Sequence, residues 1–314
     1  MAVQNENIAG GGDRSPVLDR SETAGGATDG GGDSDTRPEP QKDLTSEERR
    51  IVVETKSLRA AVIYEIIRTE GEGELRRDVS ALWWSGVVAG LSIAFSFITP
   101  AMIAAGLPAF PGADLVAKAG YAVGFLMVIL GGQQLFTENV LTAVLPAITH
   151  NTAAWWGSLL RLWSVVLAAN ISGCLVVALF IASFPVLPET SGPELQRIVL
   201  HLMENSATEM FIKGIGAGWV IAALVWMLPS SQGSEFVVIA LMTYLIALFE
   251  FTHIVAGSAE VIYGWYVGIV SANDGVLRFF LPTLAGNIVG GTVLFTALSY
   301  AQVRKEIKEA PPVS

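Results

Sequence analysis

Apolar positions in this chain gather into runs too long for the core helices of an ordinary soluble domain. An α-helix rises about 1.5 Å per residue, so about 20 apolar residues cross the hydrocarbon layer of a bilayer. Stretches at 79–106, 118–147, 153–184, 208–229, 236–267 and 276–301 meet that length, which predicts six membrane-spanning helices. Two of the six are interrupted. The second carries Gln133-Gln134-Leu135-Phe136-Thr137-Glu138-Asn139-Val140, and the fifth carries Phe249-Glu250-Phe251-Thr252-His253. Polar groups at membrane depth cost several kcal/mol unless they line a path or meet a partner. Each interrupted stretch therefore predicts two half-helices joined by a non-helical turn, which is tolerated only where protein or a water-filled cavity satisfies the backbone.

Segments three apart are related. The third and sixth hold Asn170-Ile171-Ser172-Gly173 and Asn287-Ile288-Val289-Gly290-Gly291, while the second and fifth share a Phe-Thr pair. The intervals from Thr137 to Asn170 and from Thr252 to Asn287 differ by only two residues. This pattern predicts a three-plus-three inverted repeat whose broken helices meet near the midplane.

The region ahead of the spans differs in kind. Residues 1–44, rich in Gly, Asp, Ser and Pro, lack the apolar content to offset ordering and are expected to form a disordered tail. From Thr45 to residue 77 an amphipathic cytoplasmic helix is expected, started by Thr45-Ser46-Glu47-Glu48, with Leu58, Val62, Ile63, Ile66 and Ile67 on one face. It would lie on the membrane surface or under the bundle. Residues 78–303 form the six-helix domain in this scheme, and 304–314 a short cytoplasmic tail.

Composition narrows the class further. Residues 1–78 carry 11 Lys/Arg and 17 Asp/Glu, against 8 and 12 in the remaining 236, so the net charge of −10 says little about the main body. A basic surface for nucleic acid is absent. The single cysteine, Cys174, permits no intramolecular disulfide, and no metal, cofactor or nucleophile-base signature points to an enzyme. The polar N-terminus lacks the basic stretch and short apolar core of a signal peptide. Arg59, Arg68, Arg76 and Arg77 before the first span, and Arg304, Lys305 and Lys308 after the last, place both termini in the cytoplasm.

Several interrupting residues admit two roles. His253 is either a histidine satisfied by neighbouring backbone and hydroxyls, or a group exchanging protons with a passing solute. Thr137 and Glu138 could cap the second half-helix, Glu138 through the helix dipole, or line a pathway. Leu135, Phe136, Tyr121, Phe125 and Ile246 either pack helices or form apolar constrictions that hold back a bare ion. The glycines around Gly214, Gly216, Gly218, Gly286, Gly290 and Gly291 let helices approach closely.

These residues resemble the formate/nitrite transporter family. Leu135-Phe136-Thr137-Glu138 matches the loop of its broken second helix, Gly286 to Gly291 its Gly-Asn-x-x-Gly-Gly, and Trp163, Val166 and Asn170 part of its third-helix pattern. Arg77-Asp78, Ala81-Leu82-Trp83-Trp84-Ser85, Gln133 to Asn139 and Thr252 to Glu260 are similar to its divergent YfdC-type branch. The resemblance implies an aquaporin-like protomer, assembled in the bacterial or archaeal inner membrane as a homopentamer with one pore per subunit. It further implies passage of small monovalent weak-acid anions such as formate, nitrite or hydrosulfide. By the same resemblance His253 would be the proton donor, Thr137 its partner, and Leu135, Phe136, Phe125, Tyr121 and Ile246 the constrictions, with Asn170, Asn287, Thr252 and Glu138 along the pathway.

Departures from the family pattern are equally specific. Thr252 stands where an acidic neighbour of the histidine is usual, and Gly257 where an asparagine follows; Glu250, two positions earlier, is expected on another helix face. Gly218 replaces a helix-four asparagine. The vestibule lysine has no sequence counterpart, leaving His201 as the nearest basic group. Glu260 has no assigned role. A pore-derived membrane protein that senses or recruits a partner, with a different or lost substrate, stays open at this point.

Overall fold

The computed structural model describes Thr45 and residues 58–309. The expected tail at 1–44, and most of the expected helix start at Thr45 to Glu48, lie outside the described residues. The first described helix, α1 (Ala60–Arg76), buries Ile63, Tyr64, Ile67, Gly71 and Leu75. Four of these five recur every fourth residue, a stripe matching the helical period. Leu58 and Val62 instead face outward. Tyr64 reaches Thr149 Oγ1 at 2.5 Å, and burial raises its hydroxyl above the ordinary value.

Beyond α1 the spans follow in order. The first is α2 (Val79–Ile93) and α3 (Phe95–Gly106), with Asp78 capping the start by accepting the Ser80 N–H. Pro100 lies within α3, where it removes one helical N–H and crowds the carbonyl of Ser96. The second span comprises α4 (Ala113–Ala119), α5 (Ala122–Leu130), a loop, and α6 (Val144–His150). The third is α7 (Ala153–Ser183), capped by Thr152. After α8 (Ser191–Met203) comes the fourth span, α9 (Ala207–Met227), which opens with a capping box between Ser206 and Glu209.

The fifth span is divided into α10 (Glu235–Leu248) and α11 (Ile254–Tyr266). The last joins a π-helical turn (Asp274–Phe280), α12 (Leu281–Ile288), a second π-helical stretch (Val289–Thr296) and α13 (Ala297–Glu309). Among the described residues five helical stretches are long and apolar enough to cross a bilayer. The fifth span is not one of them because its break leaves two shorter halves. The helix at the end also continues through residue 303 to Glu309 instead of stopping there.

Close glycine contacts bind each half of the repeat. A Cβ on Gly90 would strike the backbone carbonyl of Asn170, and one on Gly218 would strike that of Asn287. The α2–α7 and α9–α12 crossings are thus built alike, with a glycine of one helix under the asparagine carbonyl of the other.

Candidate functional site

The two asparagines position the two breaks. Asn170 Oδ1 accepts the Phe136 N–H at 2.9 Å, while its Nδ2 donates to the carbonyls of Gly86 and Gln134, both at 2.8 Å. Asn287 Oδ1 accepts the Ile254 N–H at 2.9 Å, and its Nδ2 donates to Gly214 (3.0 Å) and Thr252 (2.9 Å). Both side chains are fully buried. Each amide holds one strand of re-entrant backbone against a neighbouring helix, so polar main chain at membrane depth is satisfied by protein.

These bonds correct the register suggested by the Phe-Thr pairs. Gln134 and Phe136 of the first break correspond to Thr252 and Ile254 of the second, so Leu135 is the counterpart of His253. The repeat is carried by backbone groups, and the shared Phe-Thr letters are out of phase with it. Asn170 and Asn287, expected along the pathway, line neither cavity described below; their amides are taken up by backbone.

His253 occupies the N-cap of α11. Its Nδ1 accepts the Ala256 N–H at 3.2 Å, so the proton of the neutral ring belongs on Nε2, which donates to Thr137 Oγ1 at 2.7 Å. Both residues are buried, and Phe125 sets its ring edge-to-face on the imidazole with centroids 5.0 Å apart. Tyr121 follows at 5.3 Å from Phe125. The break of the second span is thereby joined to that of the fifth. Cap and partner together satisfy both ring nitrogens, which is the first of the two roles open to His253 from the sequence.

Two cavities lie on opposite sides of this contact. The distal one, beside α8, measures about 280 Å³ and is lined by His253, Thr252, Tyr121 and Ile246 among others. The proximal one, beside α1, measures about 520 Å³ and includes Glu138, Gln134, Glu70 and Glu74. Phe125, Leu135, Phe136 and Thr137 line neither cavity and are almost wholly buried. Leu135 and Phe136 stand in the chain between Gln134, which lines the proximal cavity, and Thr137, which bonds His253 of the distal one.

The capping roles expected of Thr137 and Glu138 are not found. Residues 136–143 continue in turns, and α6 begins only at Val144. Pro146 accounts for the late start: a proline has no N–H for an interior helical bond and is accommodated in a first turn. Glu138 instead lines the proximal cavity, with its Oε1 lacking a hydrogen-bond partner among the described residues. On the α1 wall of that cavity, burial and the adjacent Glu74 raise the Glu70 carboxyl above its ordinary value. Thr252 turns its hydroxyl to the Met210 carbonyl at 2.7 Å, which leaves that group committed.

The distal cavity contains charge that sequence reasoning missed. Glu250 is not on a helix face at all: it sits in the loop with φ of 54°, a left-handed conformation uncommon outside glycine. Its carboxylate meets Lys118 Nζ at 3.1 Å, His201 Nε2 at 3.2 Å and Lys213 Nζ at 3.8 Å. Two lysines therefore stand beside Glu250 where none was expected, and one of them, Lys118, lines the cavity. The signal was hidden because the three partners come from α4, α8 and α9, far apart in the chain.

The comparisons with known proteins agree with this architecture. The sequence model of the formate/nitrite transporter family matches residues 61–301. The chain belongs to that family. It is 44% identical over 249 residues to "Inner membrane protein YfdC" of Escherichia coli K12, covering 79% of this chain and 80% of that protein. Among solved structures, an "FNT family ion channel" superposes with a TM-score of 0.62 at 22% identity, covering 77% of this chain and 96% of the other. A "Pentameric formate channel with formate bound" gives 0.60 at 21%, with 72% and 98% covered. The protein is a multi-pass membrane channel or transporter with the fold of those channels.

Proposed function

We propose that the protein conducts small monovalent weak-acid anions, of the formate, nitrite and hydrosulfide class, across the cell inner membrane as a homopentamer with a pore in each subunit. The reading rests above all on the Thr137–His253 hydrogen bond, placed at an apolar waist between two cavities. Both termini would face the cytoplasm, with α1 and the acidic proximal cavity on that side and the lysine-bearing distal cavity outside. Deleting residues 1–44 should leave flux intact.

The chemistry favours a weak acid. A bare ion entering a low-dielectric waist loses hydration worth several kcal/mol, whereas its conjugate acid does not carry that penalty. The neutral imidazole donates from Nε2 to Thr137, whose hydroxyl keeps its own hydrogen for an approaching anion. This N–H to O–H chain gives the anion a donor where Leu135, Phe136 and Phe125 offer none. Formate, nitrite and hydrosulfide can leave the donor as neutral acids; chloride, the anion of a strong acid, cannot.

Reconstituted flux tests the proposal. Liposomes carrying the protein should pass formate, nitrite or hydrosulfide and exclude chloride, and His253→Ala should alter weak-acid flux without dissociating the oligomer. Equal passage of chloride and weak acids, or an unchanged flux in His253→Ala between about pH 5 and 8, would remove its basis.

A further inference from the structure

Three carboxyl groups line the distal cavity, and two of them are neutralised. Asp114 pairs with Lys118 at 3.2 Å and Arg197 at 3.6 Å, and Glu250 pairs with Lys118, His201 and Lys213. Glu260 has no ion pair and no hydrogen-bond partner among the described residues, although it is only 8% exposed. Buried charged groups are ordinarily paired or hydrogen-bonded. Ser96 also lines the cavity, and its Oγ, buried against Gly124, lacks a partner among the described residues.

Position adds direction to this observation. His253, Gly257 and Glu260 all line the cavity, at intervals of four and three residues on one face of α11. Glu260 therefore lies two turns, about 10 Å, farther along the helix axis than the waist. Gly257 between them has no side chain, and the Phe279 ring packs where its Cβ would stand. Glu260 and His253 thus stand at two depths of one cavity, about two helical turns apart.

We propose that Glu260 is the proton donor of the pathway, giving a proton to the weak-acid anion within the distal cavity before the anion reaches the waist. The inference rests on the weak-acid reading above and specifies which group in that pathway titrates. The O–H bond of the Glu260 acid breaks, its electron pair stays on the carboxylate, and an O–H or S–H bond forms on the anion. The neutral acid then passes His253 and Thr137. Glu260 recovers a proton from the solution at the distal mouth, so one proton crosses with each anion and the cycle moves no net charge. His253 acts as hydrogen-bond donor at the waist and need not take up a second proton, which its Nδ1 could accept only by giving up the Ala256 cap.

The groups around Glu260 fit this assignment. Besides the ion-paired side chains, Tyr121 and His253 face the same cavity. Of the elements packed on α11, α2, α3 and α12 bear no charged side chain, and α7 offers Cys174, with Sγ 3.5 Å from the Val255 carbonyl. The Asp274–Phe280 turn offers Asp274 and Arg278, paired with each other at 3.8 Å. Glu260 is the acid left free to cycle.

The test uses full-length protein in liposomes with an internal pH dye and an inward formate gradient. Wild type should acidify the interior by one proton per formate, faster as external pH falls. Glu260→Gln should slow formate-driven acidification by roughly a hundredfold and flatten its pH profile, as expected for loss of a general acid. Glu260→Asp should keep the stoichiometry at reduced rate. Assembly and thermal unfolding identify any misfolded variant; if Glu260→Gln does not fold, the Asp variant and the loss of a protonated-carboxyl infrared band on alkalinisation of wild type decide. Wild-type rate and pH profile in a folded Glu260→Gln protein, or no such band, overturn the inference alone. Absence of formate flux in wild type overturns the weak-acid reading as well.

Discussion

Replacing Asn287 by alanine tests the stapling of the re-entrant loops. The change removes one acceptor and two donor contacts, leaving the Ile254 N–H without its partner and the carbonyls of Thr252 and Gly214 without theirs. A buried polar group stripped of its partner costs about 1–3 kcal/mol. The N–H, with one bond to make, falls near the middle of that range, and the carbonyls, with two lone pairs each, near its lower end. The total is roughly 4 kcal/mol, a large fraction of the 5–15 kcal/mol typical of folded proteins. For a body of this size that corresponds to a fall of about 8–16 °C in unfolding midpoint. Cys174 provides the assay, because it is the chain's one cysteine and is fully buried, so a thiol-reactive dye reports its exposure on heating in detergent. Asn170→Ala should lose nearly the same amount, since its three contacts match those of Asn287 one for one. A drop below about 2 °C in either variant would refute the stapling role.

Two further predictions concern packing and charge. Gly218→Ala should greatly reduce the yield of folded protein, because its Cβ meets the Asn287 backbone, whereas Gly73→Ala in α1 meets nothing within 4 Å and should stabilise by about 0.5–1 kcal/mol in the same dye assay. The Glu72 carboxyl is held below its ordinary value of 4.5 first by the hydrogen bond from His150 at 2.7 Å, with Arg68 and Arg76 adding to it. A lowered folded-state value means stability present above the unfolded value and lost as pH falls through the folded one. Glu72→Gln should therefore lower the midpoint at pH 7 by an amount worth under about 1 kcal/mol, given partial solvent screening, and should flatten the decline on acidification below the carboxylate range. An unchanged acid decline in Glu72→Gln would show that other carboxylates govern it.

Much of the fold could be read from apolar length alone, since bilayer thickness sets a one-dimensional requirement on each span. The breaks were equally legible, because Gln133 to Asn139 and Glu250 to His253 are too polar to remain in a continuous apolar helix without a reason. The approach of Thr137 to His253 was anticipated from the family resemblance; their spacing alone does not determine it. The register of the repeat was not legible: the corresponding groups are main-chain N–H and C=O of Gln134, Phe136, Thr252 and Ile254, which leave no trace in side-chain letters. Asn170 and Asn287 stood out correctly as paired residues, yet their burial in backbone contacts follows only from the helix crossings. The misplaced helix start after Thr137 had a sequence signal in Pro146, which bars an interior helical bond there. Lys118 and Lys213 come from separate helices and Glu250 from a loop, and no local spacing announces such a cluster. Glu260 was visible as an odd carboxyl in an apolar span, but its lack of a counter-ion is a three-dimensional fact.

On the proposed route, solute travels from the distal cavity through the Thr137–His253 waist. Ala247 lines the distal cavity, while the native Cys174 is buried away from reagent. The most direct measurement is weak-acid flux through Ala247→Cys protein before and after complete modification by a bulky, membrane-impermeant thiol reagent added on the distal side. Filling the cavity should block flux, and reducing the adduct should restore it. Stoichiometric modification at Ala247→Cys with undiminished flux would contradict it, because the solute would then be crossing by another route.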